Sequence, residues 1–316
     1  MNARAPDLGV DGFHASFNCL WCGRPHRTRT DEDLEGWSML CPDCVGRAQD
    51  NEFLRFRLRE GLRRRSAASE PAQGAQAAAA DATDAADAVD SADVAMRAYY
   101  AARAPEYDDW YLRRGRYSHG VIEDAAWNAD LDSATQWLDK LPISGEIVEL
   151  AAGTGWWSPL LASKGQLWLY DALEEPLDKA RDRLLAHGLA AHIHVRDAWA
   201  EPERQVDALF CGFWLSHVPR GRLPEFLDIC RRWLKPGGLF AFIDSRRDPS
   251  SGAKDGIAPA DDMSTRRLAD GREFTIPKVY YEPAELEGAA LRAGFTSASV
   301  STTHRFFLLG EATAAS

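Results

Sequence analysis

The chain has 316 residues, enough for one large domain and one small one, and its 45% hydrophobic and 27% charged residues are typical of a globular protein. Its formal net charge of −11 argues against a surface that attracts nucleic-acid phosphates over its whole area, although a local basic patch could still do so. No stretch approaches the roughly 18 consecutive apolar residues of a membrane span. Residues 1–13 lack a signal-peptide pattern, so we expect a cytoplasmic protein without membrane contact.

Four cysteines near the N-terminus form two CxxC pairs, Cys19 with Cys22 and Cys41 with Cys44. Each pair can form a tight knuckle that aims two thiolates at one ion, and four thiolates suit tetrahedral Zn²⁺. The pattern resembles that of the zinc ribbons, which implies a closed, structural site. An iron–sulfur cluster is the alternative.

A basic run and a polar linker follow the cysteines. Residues 51–65 contain six arginines (NEFLRFRLREGLRRR), which could contact RNA or an acidic surface, or form a plain solvated helix. We therefore assign residues 1–65 to a zinc ribbon with a basic helix. Residues 66–93 are almost only Ala, Asp, Ser, Gln, Glu, Pro, Gly and Val, and such a composition predicts a disordered linker. The main domain is then expected to span residues 94–316.

The main domain begins with a segment dense in aromatic residues, from Tyr99 to Tyr111. From residue 145 onward, strand and helix signals alternate. Strands are predicted at 145–150, 166–170, 191–195, 206–211 and 239–244, and helices at 156–164, 174–187, 223–234 and 283–292. This alternation predicts an α/β fold with a doubly wound, mostly parallel sheet. Two late strands, near 297–302 and 305–309, predict an antiparallel hairpin at one edge and a total of seven strands.

A glycine-containing loop, Glu149-Leu150-Ala151-Ala152-Gly153-Thr154-Gly155, joins the first strand to the next helix. Glycines are needed where a ligand approaches the backbone closely. A dinucleotide site would require a third glycine where Ser158 stands. The loop instead resembles the first motif, E/D-x-G-x-G-x-G, of the class I S-adenosylmethionine (SAM)-dependent methyltransferases, with Ala151 in place of the first glycine.

This resemblance extends from about residue 95 to residue 310 and implies further cofactor contacts. It implies that Asp171 binds the ribose hydroxyls and that Asp197, Ala198 and Trp199 lie near the adenine, whereas a helix N-cap and a turn are the ordinary roles of the two acids. The predicted cofactor-binding residues are Tyr100, Tyr107, Glu149, Ala151, Gly153, Gly155, Asp171, Asp197, Ala198, Trp199 and Phe213. Tyr100 and Tyr107 enter because the aromatic segment resembles the helices that cover the SAM pocket of small-molecule methyltransferases.

His217 is the candidate general base, because it follows the fourth strand and imidazole titrates near neutral pH. It could instead only bind the backbone at a helix start. Asp244, at the end of the fifth strand, is the second candidate. The polar segment 245–281 could shape an acceptor pocket, in which arginines such as Arg266 could hold a carboxylate or a phosphate.

Three functional hypotheses follow. The first is a methyltransferase that acts on a small-molecule acceptor, with a ribbon that recruits the substrate or a protein partner. The second is an RNA methyltransferase that recognises its substrate through the ribbon and the arginine run. The third is a SAM-binding adaptor without catalytic activity.

Overall fold

A computed structural model describes residues 13–18, 25–29, 92–256 and 261–316 of the chain. The four cysteines of the predicted zinc site, the arginine run and residues 66–91 of the predicted linker lie outside the described residues. Among the described residues, no helix is long and apolar enough to cross a membrane.

The chain divides into two compact units, residues 1–86 and 87–316. In the first unit, strands β1 (Phe13–Asn18) and β2 (Pro25–Arg29) pair in antiparallel orientation. In the second unit, helix α1 covers residues 92–103 and therefore starts at least two residues before the expected domain start at 94. Asp93 already belongs to the main domain, because its carboxylate lies 3.7 Å from the Arg222 guanidinium.

The second unit contains a seven-stranded, mainly parallel sheet, which confirms the predicted α/β class. Its strands are β3 (Gly145–Leu150), β4 (Gly165–Asp171), β5 (His192–Val195), β6 (Val206–Gly212), β7 (Leu234–Ser245), β10 (Phe295–Thr302) and β11 (Phe307–Ala314). Their order is β10-β11-β7-β6-β3-β4-β5, with β3 to β7 parallel. The hairpin β10–β11 pairs in antiparallel orientation with β7 at one edge, as predicted.

Helices cover both faces of this sheet, so its inner strands are apolar on both sides. The helices are α2 (Tyr107–Tyr111), α3 (Val121–Lys140), α4 (Ser158–Lys164), α5 (Glu174–Ala186), α6 (Leu223–Trp233) and α7 (Pro283–Arg292). On one face, α3, α4 and α5 pack against Ile147 and its neighbours. On the other face, α6 and α7 pack against Val148 and its neighbours. Successive strand residues thus enter different cores.

The segment between β7 and α7 contains a hairpin that its composition did not predict. Strands β8 (Met263–Arg267) and β9 (Glu273–Pro277) pair in antiparallel orientation and form a sheet of their own. Ile276 and Leu268 pack with Tyr99 and Met96 of α1. The hairpin and α1 therefore form one layer.

Candidate active site

A cavity opens at the carboxyl ends of β3, β4, β5 and β6. The chain order of the strands reverses between β3 and β6, and open α/β sheets bind ligands at such a switch point. Ten predicted site residues line the cavity: Tyr100, Tyr107, Ala151, Gly153, Asp171, Asp197, Ala198, Trp199, Phe213 and His217. Three others, Glu149, Gly155 and Asp244, do not line it.

The loop after β3 brings backbone and acid together. Ala151 has a φ of 51° in the left-handed region, where the first glycine of the motif would be unstrained. The Gly153 N–H donates to Asp171 Oδ2 at 2.9 Å. A Cβ on Gly153 would lie 3.4 Å from the Tyr107 hydroxyl. The glycine thus lets an aromatic side chain close over the loop.

Glu149 and Gly155 support this loop from behind. Glu149 is 1% exposed and accepts a hydrogen bond from Ser158 Oγ at 2.6 Å. Burial raises the pKa of Glu149 to about 8. A Cβ on Gly155 would lie 2.7 Å from the Ala180 Cβ of α5. In this structure the two predicted cofactor ligands therefore hold the loop against its neighbours.

Two carboxylates face the cavity. Asp171 Oδ1 accepts the Leu173 N–H at 3.0 Å, so each of its oxygens already accepts one backbone hydrogen bond and has a second lone pair to offer. Burial raises the pKa of Asp171 to about 6, which leaves it mostly ionised at neutral pH. Asp197 accepts the Trp199 N–H at 3.0 Å and pairs with Arg97 of α1.

An aromatic wall adjoins Asp197. The Trp199 ring lies edge-on to Phe226, at 5.2 Å between centroids, and the Arg222 guanidinium covers it at 3.7 Å. Phe213, on the β6 side, is 8% exposed and has a φ of 57°. Such strain in a bulky residue is typical of a functional site.

The aromatic segment that precedes the sheet closes the cavity. Tyr100 lies on α1 and Tyr107 on α2. Asp108 attaches α2 to the loop, because it accepts hydrogen bonds from Thr154 Oγ1 at 2.6 Å and from the Arg183 guanidinium at 2.5 Å. Arg183 Nε also donates to the Thr154 carbonyl at 3.1 Å. α2 therefore acts as a lid over the glycine loop.

His217 reaches the cavity from the 3₁₀ turn Leu215–His217 after β6. Its Nδ1 lies 2.7 Å from the Pro277 carbonyl, which can only accept, so Nδ1 carries the proton. Its Nε2 then accepts from the Tyr100 hydroxyl at 2.7 Å. Burial, and next the charge of Lys278, hold the pKa of His217 well below its usual range. Nε2 is thus an unprotonated acceptor.

Asp244, the second catalytic candidate, stabilises the turn instead. It is 2% exposed, and its two carboxylate oxygens accept the Ser216 N–H at 2.9 Å and the Ser245 N–H at 2.6 Å. Both bonds orient the segment that carries His217. In this structure Asp244 positions the segment that carries His217 and does not line the cavity.

Several residues of the site were missed by the sequence analysis. Arg97 pairs with Asp197 at the cavity, and Asp108 pairs with Arg183 to hold the lid. Lys278 directly follows Pro277, whose carbonyl bonds to His217. Asp108 stood in the aromatic segment, but nothing in the sequence pairs it with Arg183, 75 positions later. Such contacts depend on the tertiary fold.

Comparison with known proteins agrees with this geometry. A family model described as a methyltransferase domain matches residues 147–238. Curated relatives are the ubiquinone/menaquinone biosynthesis C-methyltransferases UbiE of Azotobacter vinelandii, 31% identical over 106 residues, and of Pseudomonas putida, 31% identical over 115 residues. These alignments cover 31% and 34% of this chain and 41% and 44% of the relatives, so the match spans less than half of their length.

Solved structures match over more of the chain. DhpI in complex with SAH is 30% identical, with a TM-score of 0.54, over 70% of this chain and 96% of that one. The DhpI-SAM-HEP complex is 32% identical, with a TM-score of 0.54, over 69% of this chain and 95% of that one. A protein from Pyrococcus horikoshii, 16% identical with a TM-score of 0.51 over 66% of this chain and 98% of its own, shares the fold.

Proposed function

The chain belongs to the SAM-dependent methyltransferases, and from this membership we propose that it transfers the methyl group of SAM to a small-molecule acceptor at the cavity between Tyr100 and His217. The observation that carries the proposal is the position of His217. Its unprotonated Nε2 faces the same cavity as the two carboxylates and the glycine loop. Tyr100 and Tyr107 line and close the cavity, which favours a small acceptor over a polymer.

The residues of the cavity fit SAM chemically. Asp171 has free lone pairs for two ribose hydroxyls, and the loop at Gly153 has no side chain to obstruct a ligand. Asp197 and Trp199 offer an acceptor for an amino group and a flat apolar surface for a purine. A concave pocket that is largely apolar, with a few convergent polar groups, is typical of cofactor sites.

Bound SAM would supply a methyl group already activated by the sulfonium charge. The acceptor would receive the methyl group in an in-line displacement, with SAH as the leaving product. Where the acceptor atom carries a proton, His217 Nε2 would take it, directly or through the Tyr100 hydroxyl that bonds to this nitrogen. The lid excludes water and aligns the acceptor, which is most of what such a displacement requires. The curated relatives are named as C-methyltransferases. The structure of the methylated product will show whether the acceptor atom in this protein is carbon or oxygen.

The test is the transfer of label from methyl-labelled SAM to a fractionated cell extract. We expect label in the small-molecule fraction, and a large loss of that label with His217→Asn. The control His187→Asn changes an exposed histidine whose Nδ1 bonds only to the Arg183 carbonyl. Label in the RNA fraction would contradict the proposal and favour the RNA methyltransferase. Binding of SAM without transfer to any fraction would favour the adaptor.

We also propose that Cys19, Cys22, Cys41 and Cys44 hold one structural zinc ion in a reducing, cytoplasmic compartment. Their spacing supports this, and so does the position of the first pair, between the end of β1 and the start of β2. Elemental analysis should find one zinc per chain, which Cys41→Ser removes and Cys230→Ser does not. A protein without zinc, or with iron and sulfide, would refute the proposal.

A further inference from the structure

Three cationic side chains lie in the layer between α1 and the hairpin β8–β9. They are Arg103 of α1, Arg266 of β8 and Lys278 after β9, here called the cation cluster. Among residues 92–256 and 261–316, none of the three forms an ion pair with a carboxylate. Arg103 is 8% exposed and Lys278 is 6% exposed. A buried charge without a counter-charge is costly unless a ligand supplies one.

Arg103 lies directly behind the cavity. Its guanidinium is within 6 Å of the ring centroids of four tyrosines, and the shortest of these distances is 4.7 Å, to Tyr107. Tyr100 and Tyr107 both line the cavity, so one aromatic layer separates the guanidinium from the cofactor site. Arg103 Nε is buried and has no hydrogen-bond partner within the described part of the chain.

Lys278 lies beside the base. Its Nζ donates to Ser216 Oγ at 2.8 Å and to Ser245 Oγ at 3.1 Å, which leaves one N–H of the ammonium to donate. Ser216 precedes His217, and the Pro277 carbonyl that fixes His217 precedes Lys278. Burial lowers the pKa of Lys278, the charge of Asp244 opposes this effect, and the charges of Arg266 and Arg103 add to it, so that the pKa is about 8.

Arg266 and a buried hydroxyl complete the layer. Ser264 and Arg266 are two residues apart on β8 and therefore share one face of the hairpin. Ser264 is 2% exposed, and its Oγ has no hydrogen-bond partner in the described ranges. Two acids lie nearby, but Asp244 is engaged by backbone N–H groups, and Glu106 accepts only the Ala269 N–H, at 3.3 Å. The layer thus keeps a net positive charge.

We infer that the cation cluster binds an anionic group of the methyl acceptor, a carboxylate or a phosphoryl group, and so holds the acceptor beside His217. This inference rests on the proposed function, because it concerns the substrate of the same site. An oxyanion would accept hydrogen bonds from the two guanidinium groups and from the free ammonium N–H. It would also neutralise the charge that opposes proton uptake by His217.

The experiment titrates inorganic phosphate, and separately acetate, into the full-length protein saturated with SAH, by calorimetry. We expect one ion to bind per chain, and Arg266→Gln and Lys278→Met each to weaken it by about tenfold or more. Arg267→Gln is the matched control, because Arg267 is exposed on the same strand and pairs with Glu273. Preference for phosphate or for acetate assigns the anion as phosphoryl or carboxylate.

Two results would overturn the inference while the proposed function stands. One is that neither ion binds to a complex that has formed with SAH. The other is that Arg267→Gln weakens binding as much as Arg266→Gln, which would indicate general screening of surface charge. If SAH itself does not bind to the folded protein, the proposed function fails, and the inference fails with it.

Discussion

Burial of Glu149 makes the stability of the protein depend on pH. Its pKa is raised by burial from 4.5 to about 8, so the folded protein holds a proton that the unfolded chain releases between these two pH values. The stability that this proton contributes is fully present below pH 4.5 and is lost as pH rises through about 8.

Glu149→Gln should therefore flatten this part of the stability profile. Glutamine keeps an oxygen for the Ser158 hydroxyl but does not ionise. The free energy of unfolding of the variant should fall less than that of the unchanged protein as pH rises between 4.5 and about 8, as measured by urea titration. Parallel profiles for the two proteins would show that Glu149 is ionised in the folded state.

At the residue scale, the motifs predict the position of a side chain relative to a strand end. Asp171 directly follows a predicted strand, His217 lies a few residues after another, and both line the cavity. Glu149, also predicted as a cofactor ligand, does not line it, because a motif gives the position of a residue and not its direction. Odd and even positions of β3 face opposite cores, and Glu149 points away from the cavity toward Ser158.

Among the secondary-structure elements, α5 packs closely against the glycine loop at Gly155. Gly155 has a φ of 69°, and a Cβ there would lie 2.9 Å from the Ala180 Cα. Gly188 has a similar φ of 67° and no atom within 4 Å of its would-be Cβ. The two glycines thus share the backbone strain and differ in crowding.

Gly155→Ala should destabilise the protein more than Gly188→Ala, by roughly 1–3 kcal/mol, because only the first pushes α5 away from the loop. Chemical denaturation of both variants measures this difference. Equal losses of stability in the two variants would mean that α5 can move away from the added Cβ without cost. The requirement for glycine at position 155 would then come from its backbone conformation alone.

Asp108 attaches the lid α2 to the glycine loop and to α5, because its carboxylate contacts both Thr154 and Arg183. Asp108→Ala removes both hydrogen bonds and should weaken the binding of SAM by about three- to tenfold, since the contacts are partly exposed. Asp109→Ala is the control on the same helix. If the two variants bind SAM equally well, the lid closes without the Asp108 contact.

Helices and strands could be predicted wherever a short stretch of sequence carries the hydrophobic pattern of a helix or a strand. All five predicted parallel strands formed, and the four inner ones, β3, β4, β6 and β7, are largely buried, whereas β5 is an exposed edge strand. The hairpin β8–β9 escaped prediction because its residues are mixed in polarity. It is held by contacts of Ile276 and Leu268 with α1, more than 150 positions away.

At the scale of the whole molecule, the residues that line the cavity could be predicted, because they follow consecutive strands of one sheet in an order that a single motif sets. Of the proposed cation cluster, the sequence indicated only Arg266. Arg103 and Lys278 could not be predicted, because only the packing of α1 against the hairpin brings them near it. We therefore expect acceptor specificity to lie in the elements added to the sheet.

We propose that this cavity binds SAM through Asp171. Calorimetric titration of SAM and SAH into the full-length protein tests it, with Asp171→Asn beside Asp178→Asn, an exposed acid on α5. We predict saturable binding of one ligand per chain, weakened by about tenfold or more in Asp171→Asn and unchanged in the control. Failure of folded protein to bind either ligand, or equal affinity in Asp171→Asn, would contradict the claim.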